Sequence, residues 1–183
     1  MLTRAGRRAG ALAWAAAGIL LAVALDACGS ASLSGGGGSS WSVGSGPLAV
    51  GTRFDTGFNG FPVDGDGEVH VLAARLVDVP DALRVDDVYA VSFADMARLH
   101  CNDTLGAATE AEFQRACPTL PHHPVSDATL FPGHRIDWYF IGVVHATRPG
   151  TFRTGGFEID YMASGALPRS QTYNDTVVVT AHA

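Results

Sequence analysis

Lysine is absent from this chain of 183 residues, and all twelve of its basic residues are arginine. That absence excludes Schiff-base chemistry, the Ser-x-x-Lys dyad and a phosphate-loop lysine. The Gly-x-Ser-x-Gly nucleophile elbow and Gly-rich phosphate loops are missing as well. Basic clusters are scarce: the formal charge is −6, and removing Arg4, Arg7, Arg8 and Asp26 with the leading segment takes away a net +2 and leaves −8. An acidic domain of this kind lacks the electrostatic footprint for phosphate backbones, which excludes nucleic acid as a partner. Only three cysteines are present, and the longest apolar run, Ala11 to Leu25, falls short of the roughly 20 residues of a membrane span.

What the chain does have begins with an address. Arg4, Arg7 and Arg8 precede that apolar run, and Leu25-Asp26-Ala27-Cys28 follows it. A basic segment, an apolar core and a small residue before a cut site form a secretory signal, so residues 1–27 are left out of the fold. The four residues resemble the lipobox of bacterial lipoproteins, with Leu25 and Ala27 at the recognition places and Cys28 as the lipid acceptor. Asp26 departs from that pattern, whose corresponding place is small or uncharged. The resemblance implies a diacylglyceryl thioether and fatty acyl chains, such as palmitate, at Cys28. Two or three such chains anchor stably where one does not. The expected location is the cell membrane, lipid-anchored on its extracytoplasmic face, with the bilayer as first partner. Cleavage after Ala24, releasing a soluble protein, and an uncleaved anchor are the alternatives.

Residues 28–46 are nearly all Gly and Ser and are expected to act as a flexible linker with a reach of roughly 23 Å. Residues 47–183 are one domain's length, enough to fold alone. Cys101 and Cys117 are its only cysteines. In an exported domain they are expected to form a disulfide worth roughly 3 kcal/mol in the chain-entropy model, with a metal or catalytic thiol role as the minor alternative.

The domain reads as strands. Leu48 to Val50 and Arg53 to Thr56 are short extended candidates. Asp64-Gly65-Asp66-Gly67 is a turn launching Glu68 to Val79, whose broken alternation implies two buried faces or a bulge near Ala73. Leu83 to Phe93 is the next run, with a bend at Asp86-Asp87. Thr109 and Glu112 form a capping-box signature for one short helix over Ala111 to Ala116, which the disulfide would staple to the preceding segment. Pro118 to Pro132 is a Pro/His-rich loop. Ile136 to Val144, Thr151 to Thr154, Phe157 to Tyr161 and Thr176 to Thr180 complete the set, and their punctuation indicates an all-β sandwich or barrel. Leu130-Phe131-Pro132-Gly133, the aromatic strand after it, and Pro149-Gly150-Thr151-Phe152 leading to Tyr161 look like the late half of bacterial immunoglobulin-like domains. That resemblance implies an immunoglobulin-like β-sandwich. The close spacing of the two cysteines departs from that family's inter-sheet disulfide, and no Trp lies between them.

Candidate chemistry is thin. His122, His123 and His134 are the one concentration of metal-capable groups, suited to zinc or copper, although their spacing matches no compact zinc module and a solvated loop is the preferred reading of them. Asp64, Asp66 and Glu68 alternate like calcium ligands, but Val69 stands where that loop needs Gly. Asp55-Thr56-Gly57, with Ile141-Gly142, echoes the aspartic proteases, yet such chemistry needs a second carboxylate sharing the proton. Glu158 and Asp160 share one strand face. The expectation is therefore a binding or structural module engaging an envelope protein or ligand, without a cofactor and not an enzyme. A metal-binding protein using the His-rich loop is the alternative.

Overall fold

The structure is a computed structural model, and it describes residues 31–34, 42–59, 61–101, 107–133 and 136–183. Cys28 and His134 lie outside the described residues.

The described residues are all-β with two short α-helices. The strands are β1 (Ser32–Leu33), β2 (Ser42–Ala49), β3 (Phe54–Phe58), β4 (Val63–Asp64), β5 (Val69–Val77), β6 (Leu83–Ser92), β7 (Ala107–Thr109), β8 (Thr129–Leu130), β9 (Trp138–Ala146), β10 (Gly150–Arg153), β11 (Gly156–Ala163), β12 (Arg169–Tyr173) and β13 (Thr176–His182). Helix α1 is Phe93–Leu99 and α2 is Glu110–Ala116. Two four-stranded sheets carry most of the structure, in the orders β6-β9-β3-β7 and β12-β11-β5-β8, with all pairs antiparallel. A three-stranded sheet, β10-β13-β2, contains the parallel pair β13–β2, and β1 pairs with β4.

One core serves both large sheets. Phe54, Phe58, Phe140 and Val144 from one meet Val69, Val71, Phe157 and Ile159 from the other, all buried. Phe58 stacks on Phe157 with centroids 4.2 Å apart, and Phe61 closes edge-on against Phe140 and Tyr173. Fully burying each such ring is worth roughly 1.5–3 kcal/mol. The expected bulge in β5 is present: Asp160 pairs with Ala73 but Tyr161 with Val71, so Leu72 is skipped and left exposed while its neighbours keep their inward faces. The bend at Asp86-Asp87 is a bulge of the same kind against β9.

Two expectations are corrected. Among the described residues there are two α-helices where one is expected, because Ser92 ends β6 by capping α1: its side chain accepts from the Asp95 amide at 3.0 Å, and Phe93 starts the helix instead of prolonging the strand. Part of the expected linker is strand. Ser42 to Gly46 belong to β2 and lie alongside Thr176 to Val178 of β13, while Ala31 and Leu33 are buried and β1 pairs with β4. A strand can be recruited from Gly and Ser when a β-branched partner supplies the ladder.

Candidate functional site

The sheet β6-β9-β3-β7 has a second buried face. Tyr89, Val91, Ile141 and Val143 project from it into a separate apolar cluster with Met96 of α1, Phe113 of α2, Leu120 and the two cysteines. A cap thus covers this face, made of α1, α2 and the chain that follows. The Cys101–Cys117 disulfide joins the end of α1 to the end of α2, with Cα atoms 5.8 Å apart. The expected capping box starts α2, with the Thr109 hydroxyl accepting from the Glu112 amide and the Glu112 carboxylate accepting from the Thr109 amide at 2.9 Å.

From Cys117 the chain runs back over the open edge of β6 as a strap. His123 exchanges two backbone hydrogen bonds of 2.8 Å with Ala90, so the His-rich loop is tied to the sheet there as one more rung. Alternation on an extended segment then divides the two histidines. His122 lies flat on Tyr89, centroids 3.9 Å apart and planes 13° from parallel. His123 turns the other way, edge-on to Trp138, with Nε2 3.4 Å from Asp95 and Nδ1 3.9 Å from Asp127. Among the described residues no group of three His, Cys, Asp or Glu is arranged to hold a metal ion. Desolvation on the Tyr89 ring lowers the His122 imidazole below its ordinary range, against the opposing pull of Asp87 and Glu110. Asp95 is pushed down to about 2 by its bonds from Arg98 and Ser92, with a smaller share from His123.

The sheet's register assembles a polar cluster under the cap. Arg53, just before β3, alternates with Asp55 and Gly57 within it. Asp55 stands opposite Val143, which stands opposite Asp87 of β6, and the next row is Gly57, Ile141 and Tyr89. Arg53 spans the rim, its Nε 3.2 Å from Asp86 and its Nη1 2.9 Å from Glu110 at the start of α2. Asp86 also bonds Nδ1 of His145 at 2.9 Å. Asp55 sits behind this ring, only 4% exposed, and neither carboxyl oxygen has a hydrogen-bond partner among the described residues. Burial pushes its pKa up to about 6, the Glu110 charge adds to the rise, and Arg53 opposes it. Burial likewise raises the Tyr89 phenol, helped by Asp55, Glu110 and Asp87.

The Asp55-Thr56-Gly57 and Ile141-Gly142 segments do lie side by side, Thr56 against Gly142 and Gly57 against Ile141, as rungs of one antiparallel ladder. Glu158 and Asp160 are engaged by Arg75 on the outer face of β5–β11. Asp64 and Asp66 lie at an exposed turn, and Glu68 is 3.3 Å from His70. Sequence reasoning missed the ring of Arg53, Asp86, Glu110 and His145, which no local motif marks.

No protein-family model matches the chain, and no curated protein matches it. The solved structure of the Vibrio cholerae VesB protease superimposes with a TM-score of 0.37 and 11% identity, over 83% of this chain and 32% of that one. At that similarity it assigns neither fold type nor activity.

Proposed function

We propose that the protein is a lipoprotein, anchored through acylated Cys28 to the extracytoplasmic face of the membrane, whose immunoglobulin-like β-sandwich is a binding module for an envelope partner. The sandwich assignment draws support from the two four-stranded sheets closing on one core. The contact surface is the strap with its cap. One observation carries this reading: the segment from Pro118 to Pro124 is held by the disulfide behind it and by two hydrogen bonds to Ala90. A loop clamped at both ends presents its side chains with little ordering entropy left to lose on binding.

The test has two arms. Growth with an alkyne analogue of palmitate is expected to label the full chain and to leave Cys28→Ser unlabelled; equal labelling of both would remove the anchor. A photo-crosslinking residue at Thr119, exposed on the strap, is expected to trap a discrete envelope partner. The same residue at Leu167, 83% exposed on the distant β11–β12 hairpin, is expected to trap none. Identical products from both positions, or none from Thr119, would overturn the binding surface.

A further inference from the structure

We propose that Asp55 is a proton-operated latch for the cap: protonated, it lets β7 and α2 seat on the sheet, and ionised, it drives them off to let water in. The geometry is that of a carboxyl trapped at an interface. Both oxygens are buried without a donor among the described residues, and the elements beside them are short. β7 is a three-residue edge strand paired to β3 at Phe54, Asp55 and Thr56, and α2 is held beside it by one buried side chain, Phe113, by the Arg53–Glu110 ion pair at the rim and by a backbone bond from the Glu110 amide to the Arg53 carbonyl. Short edge elements with few buried contacts open first.

An ionised, unbonded carboxylate in such a place costs several kcal/mol, and it is relieved by water or by a countercharge. The countercharge is already committed. Arg53, on Asp55's own strand, gives its guanidinium to Asp86 and Glu110 at the rim. From α2, Glu110 presents a second negative charge. From β6 come Asp87 and the Tyr89 phenol, which stays neutral across the physiological range, and the His145 side chain of β9 is engaged by Asp86. From the strap, His122 is held toward its neutral form. No free positive charge therefore faces Asp55 among the described residues, and opening is the remaining route. The disulfide at the far end of α2 limits that opening to a swing and keeps the cap attached.

If the cap is also the partner surface, a conclusion that rests on the proposed binding function, capture falls as pH rises through the Asp55 titration toward 6. The latch itself is tested without a partner, by amide hydrogen exchange on the full chain between pH 4 and 7.5, expressed as protection factors. Protection of the α2 amides, including Cys117, is expected to fall by tens of fold as pH rises to about 6, since a carboxyl moved from 3.8 to about 6 by closure weakens closure by about a hundredfold once it is ionised. The Ile159 amide in the opposite sheet is expected to keep its protection. Asp55→Asn is expected to abolish the pH dependence. Should that variant fail to fold, Glu110→Gln is expected to shrink the fall, because ionised Asp55 then loses a repulsive neighbour and drives the cap less strongly. A pH-independent α2 in the wild-type chain, or an unchanged pH dependence in both variants, would overturn the latch. Neither result touches the crosslinking from Thr119.

Discussion

The imidazole of His122 covers the ring of Tyr89 in a near-parallel stack at 3.9 Å, and this contact joins the strap to the sheet. Tyr89 is buried while His122 keeps an outer face to solvent, so the histidine works as a lid. A stacked ring pair is worth about 0.5–1.5 kcal/mol beyond its area. His122→Ala is therefore expected to lower unfolding stability by about 1 kcal/mol in urea titration, and His122→Phe to retain most of it. In proton NMR the His122 ring is expected to titrate below the ordinary histidine range, owing first to its desolvation.

Two carboxyls act on pH stability with opposite sign. Asp95, lowered to about 2 by bonds from Arg98 and Ser92 in the α1 cap, binds fewer protons folded than unfolded. Its contribution is present above pH 4 and lost as pH falls toward 2. Asp55, raised from 3.8 to about 6, binds more protons folded than unfolded. Its contribution is complete below about pH 4 and is lost as pH rises through 6, on the order of 3 kcal/mol at about 1.4 kcal/mol per pH unit. Urea midpoints across pH 2 to 8 are expected to rise and then fall. Asp95→Asn is expected to flatten the acid limb and Asp55→Asn the upper one.

The disulfide joins positions 16 apart in sequence and closes the cap on itself. Replacing both Cys101 and Cys117 by Ala is expected to cost about 2–4 kcal/mol of global stability. The loss is expected to be uneven. Exchange protection at Met96 and Phe113 should fall further than at Val71 and Ile159, which belong to the core between the sheets. A uniform loss would place the disulfide's effect in the main core instead.

Much of this organisation is legible in the sequence because it is local. The aromatic strand from Trp138 carries its own apolar pattern, the Asp86-Asp87 bulge announces itself as two charges in a β-branched run, and the capping box is four residues long. Other features are not local. Ser92 with Asp95 is a helix cap concealed inside what reads as a continuous apolar strand, and Arg169 to Tyr173 is a polar strand with no apolar alternation. Ser42 to Gly46 become a strand only because β13 lies beside them. The ring around Asp55 joins residues from positions 53 to 145, and only strand register brings them together. Adjacent histidines on an extended chain point apart, and the single rung at Ala90 sends His122 and His123 to opposite sides.

Gly156 gives a further test of how the sheets are held in register. It opens β11 opposite Val77 of β5, and a Cβ there would run into the Tyr173 carbonyl at the end of β12. That neighbour is backbone, so it cannot rotate away as a side chain could. Gly155 is blocked as well: its added methyl would meet Cβ of Asp78, which no rotation of that side chain can move away. Forcing atoms into a packed position costs about 1–3 kcal/mol. Gly156→Ala and Gly155→Ala are each therefore expected to lower stability by about that amount in thermal or urea unfolding. A negligible loss at Gly155 would mean that the turn after Val77 gives way at Asp78, and that only the β11–β12 contact at Tyr173 belongs to the rigid frame.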